Sequence, residues 1–251
     1  MLLSCDLHIH SALSPCADDL MTPGNIVSMA FLNKLDVIAI TDHGSCKNVR
    51  VAQHIARQLA LEGKKYPLVI PGMEMECAEG FHLLALFPDI DSATNFDEYY
   101  TDKRIKIPNR IDIFGKQLLF DDNDEVYKEE EMLLSSSSTL SSQALVSTVL
   151  SLNGVVIPAH VDRDSYSMLS SLGAIPPEFP GKILELSRNI SHADFEEKHP
   201  ELAEYFLVTH SDAHTLADIA DPGFCYDIHS QKTEVFRSED FIFALRELML
   251  R

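Results

Sequence analysis

At 251 residues and 45% apolar composition, the chain is long enough to bury one substantial core, and no apolar run approaches the roughly 20 residues of a membrane span. A formal charge of −19 disfavours long nucleic acids and anionic membranes as partners, through repulsion by their phosphates. The five cysteines (Cys5, Cys16, Cys46, Cys77 and Cys225) are scattered and never spaced C-x-x-C. That argues against a disulfide framework and a zinc ribbon; with no basic n-region ahead of the first apolar run, a cytoplasmic protein without a signal peptide is expected.

In chain order, short apolar runs predict strands at Leu2–Ile9, Asp36–Thr41, Leu68–Met75, His82–Phe87, Gly154–Ala159, Lys182–Leu186 and Tyr205–Thr209. Helical patterns fall between them. Thr22-Pro23 opens one with an N-cap and a first-turn proline; others are expected near Lys47–Leu61, Ser142–Leu152, Ala193–His199 and Glu239–Leu250. Alternating β and α units imply a mostly parallel sheet. Seven or so units in this length favour a closed barrel over an open, doubly wound sheet. Residues 89–140 break the rhythm with acidic and serine-rich stretches. Phe114–Phe120 and Glu125–Lys128, separated by Asp121–Asp124, predict a polar β-hairpin within an insertion or lid, the alternative being a disordered acidic loop. The expectation is one domain over 1–251 with an insertion at about 89–140.

Polar residues gather where the strands end. His8 and His10 share one strand face, because side chains alternate with period two; Asp212 and His214 repeat the spacing after the last strand. Between these lie Thr41-Asp42-His43-Gly44, Gly72-Met73-Glu74, His82 and Ala159-His160. Barrel enzymes collect their catalytic residues at the C-terminal ends of strands. Neutral imidazoles mixed with carboxylates, and no thiolates, suit Zn, Mn or Fe. Six histidines and three acids exceed one tetrahedral site, so two or three divalent metal ions are expected, with Glu74 bridging.

The ordered set Asp6-Leu-His-Ile-His10, Thr41-Asp-His-Gly44, Gly72-Met-Glu74, Ala159-His160 and Ser211-Asp-Ala-His214 resembles the PHP (polymerase and histidinol phosphatase) family of metal-dependent phosphoesterases. The resemblance implies a distorted (β/α)7 TIM-like barrel, here α/β with a hairpin-containing insertion, and a trinuclear centre. Carried over residue by residue, His8, His10, Glu74 and Asp212 hold the first metal, and Glu74 bridges to a second completed by His82 and His160. Asp18, His43 and His214 hold the third. Relatives keep an aspartate four residues before Thr-Pro. Counting back from Thr22 selects Asp18, while the longer spacing from His10 leaves Asp19 and Cys16 as rivals.

The function implied is hydrolysis of a small phosphomonoester or nucleotide-type phosphate by a metal-activated hydroxide, with Glu74 and the groups Asp18, His43 and His214 in catalytic roles. Arg163 and Arg188 follow strand ends and are candidate substrate-binding cations. Asp6 and Asp42, directly before ligand positions, either orient an imidazole or cap a strand end. His210, at the end of the last strand, either supports a ligand or is structural, and His54, His192, His199 and His229 are read as structural. The alternatives are a nuclease acting on single-stranded ends, disfavoured by the acidic balance, and a non-catalytic metal-binding regulatory domain. Nothing in the sequence speaks to oligomeric state.

Overall fold

The computed structural model describes residues 2–63, 66–220, 225–227 and 237–249. In chain order the elements are β1 (Leu2–Ile9), α1 (Pro23–Leu32), β2 (Val37–Ile40), α2 (Val49–Leu61), β3 (Leu68–Glu76), β4 (His82–Leu86), α3 (Ile90–Lys103) and α4 (Ile111–Phe114). There follow β5 (Leu118–Phe120), β6 (Val126–Glu129), α5 (Ser142–Ser151), β7 (Val155–Pro158), α6 (Met168–Leu172), β8 (Ile183–Leu186), α7 (His192–Lys198), β9 (Phe206–Thr209), β10 (Cys225–Asp227) and α8 (Ser238–Met249). Leu250, expected to end α8, and His229 lie outside the described residues.

A curled six-stranded sheet, in the order β10-β1-β2-β3-β4-β7, faces a two-stranded sheet of β8 and β9. The two meet through single backbone contacts. Val161 N–H donates to Glu185 O at 2.8 Å beyond β7, and a parallel bridge joins Ile9 to Ala213 between β1 and the end of β9. Among the described residues this makes a half-barrel with stitched seams, without the continuous ladder of a closed seven-stranded barrel.

The strands of the core are buried on both faces, which is why they read as unbroken apolar runs. Leu7, Ile9, Ile38, Ile40, Met73 and Leu84 are fully buried, each contributing about 1.5–3 kcal/mol of apolar transfer free energy. The helices carry the caps their sequences call for. Thr22 Oγ1 accepts from Asn25 N–H at 3.2 Å ahead of Pro23, and Ser141 caps α5 in the same way.

Two departures from expectation shape the site. The sheet is not uniformly parallel: β4 runs antiparallel to both β3 and β7. No helix separates β3 from β4, so the chain must turn straight back. Residues 89–103, expected in the insertion, instead open with a regular helix, α3, capped by Asp89. Its buried Ala93, Phe96 and Tyr100 recur at helical spacing, and Phe96 packs on Phe87 at 5.3 Å between ring centroids.

The remainder, 104–140, forms an arm with the β5–β6 hairpin near its expected place. Asp121 Oδ1 closes the hairpin turn by accepting from Asn123 and Glu125 N–H. The arm packs on the loops that leave β1 and β2. Leu118 N–H donates to Ala12 O at 2.7 Å, Leu119 joins Leu13 and Leu134 in a small apolar cluster, and Arg104 donates to Gly44 O at 3.0 Å.

Candidate metal centre

The same strand edge gathers His8, His10, His43, Glu74, His82, His160, Asp212 and His214. Backbone pairing carries β2 and β3 into it: Glu74 N–H donates to Asp42 O and Gly44 N–H to Glu74 O. That places His43 beside Glu74. Gly44 sits at φ +57°, and a Cβ there would lie 2.6 Å from Leu134 O, so the turn that presents His43 requires glycine. His82 begins its strand rather than ending it. Because β4 is antiparallel, its start lies level with the C-terminal end of β3, in register with Glu76. His160 (φ +32°) and Asp212 (φ +49°) both lie in the left-handed region, a conformation costing about 1–3 kcal/mol in a non-glycine residue and typical of functional positions.

Glu74 is the hub. Its Oε1 lies 2.9 Å from His82 Nδ1, 3.2 Å from His160 Nε2 and 3.5 Å from His8 Nε2; its Oε2 lies 2.9 Å from His43 Nδ1 and 3.5 Å from His10 Nε2. Burial pushes this carboxyl up, but the surrounding imidazoles of His82, His43 and His8 outweigh it and hold Glu74 well below the usual carboxylate range. His160 Nδ1 is buried with no hydrogen-bond partner among the described residues.

The inner rings are fixed in tautomer. Ser11 N–H, Ser11 Oγ–H and Ser14 Oγ–H all point at Asp42; burial raises the Asp42 carboxyl and these three hydrogen bonds oppose the rise. With its hydrogen given to Asp42, Ser14 Oγ accepts from His10 Nδ1 at 2.9 Å. His10 Nε2 is therefore a bare lone pair, and burial together with His214 and His43 holds the ring down to about 3, neutral at physiological pH. His8 Nδ1 faces both oxygens of the buried Glu185 at 3.1 and 3.0 Å, which directs its own Nε2 into the site. Burial lowers His8, but Glu185, Asp212 and Glu74 outweigh it and leave the ring well above its ordinary value, so the local field favours positive charge.

The two Nε2 atoms lie 3.1 Å apart. Asp212 Oδ1 is 3.3 Å from one and 3.2 Å from the other. A tetrahedral zinc site with bonds of 2.0–2.1 Å has ligand–ligand edges of about 3.3 Å, and the separations of His8 Nε2 and His10 Nε2 from each other, from Asp212 Oδ1 and from the nearer Glu74 oxygen (Oε1 for His8, Oε2 for His10) run from 3.1 to 3.5 Å. The donor set fits a divalent cation. Three overlapping groups, His8–His10–Glu74, His43–Glu74–His82 and His10–His43–His214, each hold their ligating atoms within 4.8 Å of one another.

The third expected position differs in one member. Asp18 is exposed, and its Oδ1 accepts from Leu20 N–H at 2.7 Å, closing a local turn. Asp19 pairs with Lys116 at 2.6 Å. The side chain that meets His214 Nε2 is Cys16, with its sulfur 3.1 Å away. Asp18 touches the region through its backbone alone, donating its N–H to His214 O at 2.9 Å. Burial raises the Cys16 thiol, but hydrogen bonds with His214 and His43 prevail and bring it to about 6.

Arg163 binds Asp212 Oδ2 at 2.7 Å, on the side opposite the imidazoles. Arg188 is exposed and lines, with His160, Arg163, Ser187 and Asp212, a cavity of about 220 Å³ beside the cluster. A larger apolar cavity of about 750 Å³, lined by Leu3, Val37 and Leu68, touches none of the cluster. Asp6 caps backbone, accepting from Ser211 and Ala220 N–H. Glu185 was not among the expected residues, yet it binds His8, His210 Nδ1 (2.7 Å) and His160 N–H (3.1 Å). An acid in the middle of an apolar strand run, Ile183-Leu184-Glu185-Leu186, was the available signal.

No protein-family model matches the chain, and no curated protein matches it. Solved structures do. A lesion-specific endonuclease, endonuclease Q of Pyrococcus furiosus, aligns at 19% identity and TM-score 0.60, over 99% of this chain and 56% of that one. A metal-dependent phosphoesterase, so described, from Bifidobacterium adolescentis aligns at 16% identity and TM-score 0.59, over 97% and 94%. A two-domain protein from Bacteroides vulgatus containing a PHP-like phosphoesterase aligns at 16% and TM-score 0.50, over 99% and 62%. The chain has the fold of PHP-like metal-dependent phosphoesterases. It spans little more than half the length of endonuclease Q.

Proposed function

We propose that the protein is a metal-dependent hydrolase of phosphate esters, acting on a small phosphomonoester or nucleotide-type phosphate at a centre of two or three divalent ions. The observation that carries this is the pair of imidazole nitrogens His8 Nε2 and His10 Nε2, held 3.1 Å apart between Glu74 and Asp212. Two imidazole nitrogens this close inside a ring of carboxylates need a cation between them: a proton carried by His8, whose ring the surrounding carboxylates shift up, or a divalent ion in its place. His8, His10, Glu74 and Asp212 would hold one ion, Glu74 with His82 and His160 a second, and His43 with His214 a third. Ions so held supply charge neutralisation to phosphate oxygens and acidify water. Imidazole and carboxylate donors leave Zn, Mn and Fe all compatible.

The chain's own groups divide the remaining work. Arg188, exposed at the cavity rim and without an ion pair among the described residues, would take a phosphate oxygen through its guanidinium fork. Arg163, paired with Asp212, would orient that ligand from behind and meet the substrate with its remaining N–H groups. His43 and His214, at the outer side of Glu74, would hold the third ion where it could stabilise the charge on the departing oxygen. In this reading the chain is one barrel domain and the 104–140 arm is its insertion.

A nuclease is the second reading, supported by the likeness to endonuclease Q over 99% of this chain. The charge of −19 weighs against extended contact with a phosphate backbone, and a small substrate avoids that repulsion. The test is metal content per chain with phosphate release from a panel of monoesters, dinucleotides and labelled single strands. Metal-dependent release that disappears in His8→Ala and Asp212→Ala, both still folded, is expected. Full activity in either variant overturns the assignment, and cleavage of strands with monoesters untouched moves it to the nuclease.

A further inference from the structure

Cys16 and the outer imidazoles form a group that the reading above does not use. His214 Nδ1 faces the carbonyl oxygen of Asp212 at 2.8 Å. A carbonyl can only accept, so Nδ1 carries the hydrogen and the Nε2 lone pair points at the Cys16 sulfur, 3.1 Å away. His10, His43 and His214 bring their ring nitrogens within 4.8 Å of one another. Nothing about this cysteine suits a packing role, since it is exposed on the loop after β1. Cys5 and Cys77, by contrast, are buried and bond the carbonyls of Leu3 and Phe81. The acid that would otherwise complete the group, Asp18, is committed to Leu20 N–H.

We infer that Cys16 Sγ is a thiolate ligand, with His43 and His214, for the outer divalent ion, and that it biases this position toward zinc or ferrous iron over manganese or magnesium. The inference rests on the metal-centre part of the proposed function. Its chemistry is a ligand exchange: the thiol proton leaves to solvent, a sulfur–metal bond forms, and nothing is oxidised or reduced. Thiolate is a soft donor that prefers zinc and iron, whereas carboxylate oxygen suits manganese and magnesium. The inner group His8–His10–Glu74–Asp212 holds no sulfur, so the two ends of one centre would differ in metal preference.

Cobalt(II) provides the test, because a thiolate ligand adds an intense near-ultraviolet charge-transfer band that imidazole and carboxylate do not. The native protein loaded with cobalt should show the band. Cys16→Ser should lose it and one bound ion while keeping cobalt at the inner group. Cys16→Asp should keep the stoichiometry without the band and take up manganese in place of zinc from an equimolar mixture. On the unmodified protein, alkylation of Cys16 by iodoacetamide, followed by peptide mass, should be blocked by zinc and restored by a chelator. Cobalt uptake without the band, a band that survives Cys16→Ser, or alkylation indifferent to zinc overturns the inference and leaves the metal centre standing. No cobalt uptake at all overturns both.

Discussion

The two flanks of Glu74 are built differently. On the inner side His8 and His10 are fully buried, and each ring is clamped by a second residue: His8 by Glu185, and His10 by Ser14, which answers to Asp42. On the outer side His43 and His214 are half-buried, Cys16 is exposed, and His82 is covered by the ring of Tyr166. A clamped, dry site fixes tautomers in advance and loses little entropy when an ion enters. An open site with fewer clamps can exchange ligands and admit substrate. Under the proposed function, burial would serve metal retention and exposure would serve turnover, with one carboxylate common to both.

The largest effect should come from the shared hub. Glu74→Gln removes the only negative charge common to the five imidazoles and should cost at least one bound ion per chain with all metal-dependent turnover, read by metal analysis and phosphate release. Retention of a full metal complement would break the comparison, since it would mean that the flanks bind independently.

Next comes Glu185→Gln, which strikes the inner flank first and reaches His160 only through its backbone N–H. Loss of a carboxylate behind a ligating imidazole weakens metal binding about 10–100-fold, and breaking a buried pair costs about 3–5 kcal/mol. The pH dependence of the chelated protein sharpens this. Burial raises Glu185, but His8 and His210 outweigh it and leave its carboxyl far below the usual range. Its contribution is therefore present above the unfolded value near pH 4.3 and lost as pH falls toward the folded one. His8 is shifted up. Its contribution is complete below about pH 6.5 and fades as pH rises through the folded value. The melting temperature of the native protein should exceed that of Glu185→Gln most between about pH 4.3 and 6.5, and the gap should narrow on both sides. A gap independent of pH would sink the pairing. Graded chelation should then strip the outer flank first and leave an ion on His8, His10, Glu74 and Asp212; the reverse order would invert the comparison.

The sequence revealed the inner flank more fully than the outer. His8 and His10 stand two apart in an apolar strand, and strand geometry alone puts them on one face; Glu74 lies near the end of the buried apolar run of β3, and Asp212 follows β9. Glu185 escaped because an acid in an apolar run declares itself only when its partners, 25 and 177 residues away, are known. The outer flank depends on reversals that no local pattern encodes. His82 reaches the site because β4 runs backwards, and it is Cys16 that meets His214 while Asp18 closes a turn on Leu20. Helix α3 was hidden by its polar face: Asp91, Ser92, Asn95 and Asp102 resemble loop sequence until Ala93, Phe96 and Tyr100 are seen to share one side.

The smallest expected effect belongs to Tyr166, the outermost contact. Its ring stacks on His82 at 4.9 Å and 27°, while its carbonyl accepts from His82 N–H at 2.9 Å. Tyr166→Ala removes the ring and leaves the backbone bond. A stacked aromatic pair contributes about 0.5–1.5 kcal/mol beyond its buried area, equivalent to roughly two- to tenfold in an equilibrium constant. The ring covers the outer flank only, so KM or outer-ion affinity should weaken by that factor while the inner ion and the melting temperature stay unchanged. A loss of inner-ion affinity as large as that of Glu185→Gln would show that strain at the rim reaches His8 through Glu74, and the two flanks would then have to be treated as one rigid cluster.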